Sequence, residues 1–77
     1  MFLLVAGSFS VQSNAINLSN DLNEHGFYSE VLLQESGLHL VTFATHFDEE
    51  MARTELSQLR LDENTSRAWL KRLDAAL

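Results

Sequence analysis

Few side chains in this 77-residue chain could do chemistry. The imidazoles are His25, His39 and His46, and there is no cysteine to join them. A zinc site needs three or four convergent ligands. His25 closes a helical stretch, and His39 and His46 fall on different sides of a strand if both lie in one. They read as turn and edge histidines, so no metal or other cofactor is expected. Ser8 and Ser10 have nucleophilic hydroxyls, yet the chain lacks a G-x-S-x-G elbow and an orienting carboxylate. Ser10 reads as a helix cap, and Ser8 as either a hydroxyl offered to a ligand or a turn residue. Gly7 precedes a helical stretch, but one glycine without G-x-G-x-x-G or G-K-S makes no phosphate loop. It reads as a strand-to-helix turn. Trp69 could stack on a sugar; beside Leu70 in so short a chain it reads instead as a core anchor. The clusters Asp48-Glu49-Glu50 and Asp62-Glu63 read as solvated helix ends. No catalytic residue is assigned, and the chain is expected not to be an enzyme.

These residues must be held by a small frame. At this length there is one domain, and roughly 60% of the unfolded surface is buried on folding. Five basic residues against eleven acidic ones give a net charge of −6, which argues against nucleic acid. No apolar run approaches the roughly 20 residues of a membrane helix, and Met1–Gly7 lacks the basic leader of a signal peptide. No membrane insertion by this segment is expected. A strand at the very start, with no leader, suggests a domain cut from a longer chain.

Alternation over Phe2–Phe9 predicts a strand with Phe2, Leu4 and Ala6 on one face and Leu3, Val5 and Gly7 on the other. A helix follows over Val11–Glu24, with Ala15, Leu18 and Leu22 as its apolar stripe. Gly26 suits the left-handed position after it. Tyr28–Leu33 and Leu38–Ala44 read as a hairpin whose turn holds Gly37 at positive φ. A second helix spans Asp48–Arg60, with acidic residues in its first turn and Ala52, Leu56 and Leu59 as its stripe. For Arg67–Lys71 the pattern fits either a last strand or a helix. A shift of the sequence by 37 positions, Ala15 onto Ala52, lays the second strand–helix unit on the first. The order βαββαβ predicts an α+β two-layer sandwich: a four-stranded antiparallel sheet, RNP/ferredoxin-like, with both helices on one face.

At this point the residues resemble a family. Val5-Ala6-Gly7-Ser8-Phe9-Ser10, Asn14-Ala15 with Leu22, Gly37-Leu38-His39-Leu40-Val41, Glu49-Glu50-Met51-Ala52 with Leu56 and Leu59, and Ala68-Trp69-Leu70 resemble a SPOR domain over nearly the whole chain. The resemblance implies a non-catalytic module, a single SPOR-like domain over 1–77 within a longer envelope protein. It further implies binding to peptidoglycan glycan strands stripped of their stem peptides, in the periplasm or cell envelope or at the division site, by way of an anchor or export signal outside this segment. The glycan-binding positions are Val5, Gly7, Ser8, Leu38 and Leu40, carried over from the resemblance, and Thr42, which shares the strand face of Leu38 and Leu40, all on the sheet face away from the helices. The family's glutamine is Val5 here, its arginine Leu40, its aromatic Leu38 and its second glycine Ala44. Amide and guanidinium hydrogen bonds to sugar hydroxyls are thereby lost.

Leu3, Val5, Leu38 and Leu40 would then form a wet apolar patch, which a lone leucine would not. Its cover would be a second copy of the chain or Leu73–Leu77 folded back as a short helix; five residues cover little, so a homodimer through this face is expected. An RNA-binding domain of the same topology would carry aromatics on its central strands, and this face offers Leu and Val.

Overall fold

A computed structural model describes residues 1–73. The chain runs β1 (Phe2–Phe9), α1 (Gln12–Glu24), β2 (Glu30–Leu33), β3 (His39–His46), α2 (Glu49–Leu59) and β4 (Trp69–Arg72). The four strands form one sheet in the order β2-β3-β1-β4, every neighbouring pair antiparallel. The expected RNP-like sandwich is the observed one, and the last segment, which fits strand and helix alike by its pattern, is a strand over Trp69–Arg72 with Arg67 in the turn before it. It is the end of β1 that decides this: a paired row along Phe2–Val5 takes Trp69–Arg72 as its partner.

Both helices pack on one sheet face through the stripes read from their spacing. Ala52, Leu56 and Leu59 of α2 bury against Leu4 and Ala68, and Ala15 and Leu22 of α1 against Val41, with Leu18 half-buried beside them. Phe27 and Phe43 meet edge-to-face at 6.0 Å between ring centroids and touch both clusters, so they join the two half-cores.

The ends of the elements show why the helices stop and start where they do. Gly26 has φ +89°, and its N–H bonds the Asn23 carbonyl while the Phe27 N–H bonds that of Leu22. This is a Schellman close, sealed by the packing of Phe27 and Leu22 in one cluster. Gly37 has φ +90° in the hairpin turn, where its N–H bonds the Gln34 carbonyl at 2.9 Å. The Asp48 carboxylate caps α2 by accepting from the Glu50 N–H at 2.9 Å. Ser10 does not cap α1. The N-cap is Val11, without a side-chain hydrogen bond, since the helix starts at Gln12 rather than Val11 and Ser10 falls one residue outside it.

The expected strand-to-helix turn at Gly7 is likewise replaced by a bulge. Val5 pairs with Thr42 and Gly7 with Val41, so β1 spends an extra residue at Ala6–Gly7. Between Leu3, opposite Thr45, and Val5, opposite Thr42, it is β3 that spends the extra residue, at Phe43–Ala44. A shift of 37 carries the first bulge onto the second, and β1 and β3 share one burial pattern residue for residue. The repeat seen in sequence is thus a pair of βα half-units related by an approximate two-fold between β1 and β3.

Candidate functional site

The sheet face away from the helices is built from alternate residues of all four strands. Leu3 and Val5 of β1 share it with Leu40, with which they form a cluster separate from the helix-side core. Cross-strand partners lie on the same side, so register adds Thr42 beside Val5, Ser8 and Leu32 flanking Leu40, Glu30 beside Thr42, Trp69 beside Val5 and Lys71 beside Leu3. From edge to edge the face reads Glu30 and Leu32, then Leu40 and Thr42, then Leu3, Val5 and Ser8, then Trp69 and Lys71.

Of the six expected glycan-binding positions, four lie on this face: Val5, Ser8, Leu40 and Thr42. Ser8 is exposed, whereas Val5, Leu40 and Thr42 are buried. The Thr42 hydroxyl is turned to the Glu30 carbonyl at 3.3 Å. Leu38 is exposed but lies just before β3, in the hairpin connection rather than on the sheet. Gly7 is on the helix side, contrary to the face that plain alternation assigns. The bulge turns it inward, where an added Cβ would sit 2.8 Å from Phe9 Cε2 and 3.0 Å from Leu18 Cδ2. Its glycine is needed for close packing under α1.

The expected wet patch is absent. Leu3 is 4% exposed, Val5 0% and Leu40 3%, and Leu73 packs against the cluster they form. Leu73 is placed there by continuation of the β1–β4 pairing, its N–H bonding the Met1 carbonyl at 2.8 Å. The chain itself therefore covers the centre of the face, so the argument for covering it with a second copy lapses. The expected short helix falls mostly on 74–77, outside the described residues.

What remains accessible is the rim, and its principal side chain is Trp69. It is 37% exposed and stands on the face beside Val5, not in the core. The sequence could have placed it had the last segment been read as a strand: alternation sends Leu70 to the helix side and Trp69 and Lys71 to the other. A flat indole held by an edge strand is a surface on which a sugar ring can lie, with the Lys71 amine on the same strand and face for a hydrogen bond.

The histidines do not converge. His25 takes its Nδ1 to within 2.7 Å of the Asp21 carbonyl, which, with the Asp21 charge behind it, raises its pKa above 6.5. His46 pairs with Glu55 of α2, tying the end of β3 to the helix that follows. His39 lies opposite Phe9 at the other end of β3. Among the described residues no three acidic or imidazole groups gather as metal ligands would.

No family model matches this chain, and no curated protein matches it. Among solved structures it is similar to the solution structure of the peptidoglycan binding domain of the B. subtilis cell wall lytic enzyme CwlC, with a TM-score of 0.62 and 26% identity. The match covers 92% of this chain and 89% of that one. The resemblance read in the sequence therefore holds in the structure: over 92% of its length this chain is similar to a SPOR domain.

Proposed function

We propose that this chain is a non-catalytic module that binds peptidoglycan through the glycan strands, on the sheet face away from the helices. The observation that carries the reading is the match along 92% of the chain to a peptidoglycan binding domain. The described architecture is consistent with it, since the helices occupy one side of the sheet and the rim of the other side stays accessible. The contact surface would run along Ser8 and Leu38 to Trp69, with Val5, Leu40 and Thr42 shaping the floor rather than touching sugar and Gly7 facing the helices. The strands would be those stripped of stem peptides, as the resemblance to SPOR domains implies. The module would act in the cell envelope, at division sites where such strands arise, as one domain of a longer protein.

Sedimentation with purified peptidoglycan tests the reading, with amidase-treated material as the denuded form and polymeric RNA as control. The protein should pellet with peptidoglycan, more completely after amidase treatment, and stay in solution with RNA. Failure to pellet with either form of peptidoglycan would overturn it.

A further inference from the structure

The charge on this protein is unevenly placed. Its net charge is −6, yet three of its five basic residues, Arg67, Lys71 and Arg72, lie within six consecutive positions that contain no acid. That stretch surrounds Trp69, the chain's single tryptophan, and Trp69–Arg72 form the exposed edge strand β4. Among the described residues the ion pairs are His25–Asp21, His46–Glu55 and Arg53–Glu49, none of which involves these three cations. At the opposite edge of the same face stands an acid, Glu30 of β2. The face is thus polarised from β2 to β4. Local potential, more than net charge, decides which ligand a surface attracts.

Alternation separates the roles of the three. Lys71 shares the face with Trp69, two residues away and so about 7 Å along the strand. Arg72 lies opposite Phe2, on the helix side, and Arg67 precedes the strand. These two raise the potential at the edge without reaching the face. An ammonium on a flexible stem is a point charge suited to a carboxylate whose position varies along a polymer.

We propose that the β4 edge is a subsite for an acidic sugar: Trp69 stacks on a pyranose ring, and the Lys71 ammonium pairs with a carboxylate borne by that ring or its neighbour. This rests on the glycan-binding reading above and adds to it the charge of the ligand. The side chain of a glycan that carries a free carboxylic acid would be held at β4, and its neutral analogue would be held by stacking alone. Glu30 at the far edge disfavours the reversed placement of the same acid.

Because Trp69 is the only tryptophan, its fluorescence reports this site directly. The protein is titrated with soluble peptidoglycan glycan oligomers bearing free carboxylates, and with the same oligomers after reduction of the carboxyl groups to alcohols. The acidic oligomers should shift the emission at about two- to fivefold lower concentration, the range expected of one partly exposed ion pair. Added salt should remove that advantage and leave binding of the reduced form in place. Lys71→Gln should make the two forms equivalent, and Trp69→Phe, followed by sedimentation, should keep the preference with the stacking surface preserved. Equal binding of both forms by the parent, or a preference that survives Lys71→Gln, would overturn the subsite while leaving glycan binding standing. No response and no sedimentation with either form would overturn both readings.

Discussion

Gly7 and His25 show how single positions here answer to different neighbours. At Gly7 the constraint is space: the backbone needs no positive φ, but a methyl group would press on Phe9 and Leu18. Gly7→Ala should cost about 1–3 kcal/mol in chemical denaturation, as overpacking does. The equivalent bulge residue of the second half is Ala44, which already carries a Cβ. At His25 the constraint is a carbonyl. The Asp21 oxygen accepts from the ring and favours the protonated form, so the folded pKa lies above 6.5. A raised folded pKa means the interaction contributes fully below the unfolded value and is lost as pH rises through the folded one. NMR titration should place the His25 midpoint above 6.5, and stability should fall with rising pH across that midpoint, less so in His25→Gln. A midpoint at or below the ordinary value would mean that the Asp21 contact is absent in solution.

Among the elements, α2 and β4 depend on their termini. The α2 start rests on one carboxylate, Asp48, and Asp48→Ala should cost about 1 kcal/mol by losing the bond to the Glu50 N–H. α1 has no such side-chain cap, so replacing Ser10 by alanine should change stability little, within about 0.5 kcal/mol. The segment between α2 and β4 looks like a polar link in sequence but holds a buried threonine. The Thr65 hydroxyl donates to the Leu59 carbonyl at the helix end, and Arg60 Nε donates to the Ala68 carbonyl at 3.0 Å. Together they aim the chain into β4. At its far end Leu73 packs against the cluster of Leu3, Val5 and Leu40. Leu73→Asp should therefore lower stability by about 1–2 kcal/mol and raise the binding of an apolar dye. Unchanged dye binding would show that Leu73 does not cover this face.

At the scale of the molecule, the covered face changes the expected association. With Leu3, Val5 and Leu40 buried within one chain, pairing of two sheet faces would bury only rim residues, and two copies would bring together like net charges of −6. Light scattering across a concentration series should give the monomer mass throughout. A dimer sensitive to Leu32→Glu or Trp69→Glu would instead revive the shared face.

Element order, both helical stripes, the two positive-φ glycines and the 37-residue repeat could be read from the chain alone. All are local: hydrophobic period, capping chemistry and turn residues act between near neighbours, so the residues themselves carry them. The sides taken by Gly7 and Trp69, and the cover over Val5, could not be. Gly7 changes side because a bulge adds a residue to β1, and a bulge is a relation between two strands. Trp69 and Leu70 fit a helix as well as a strand until β1 offers an edge to pair with, since four residues are too few for period alone to decide. Val5 is dry within a cluster against which Leu73, 68 positions later, is packed by that same pairing. Pairing of distant segments decided which side chains a ligand can touch, and that is where the sequence and the tertiary structure part.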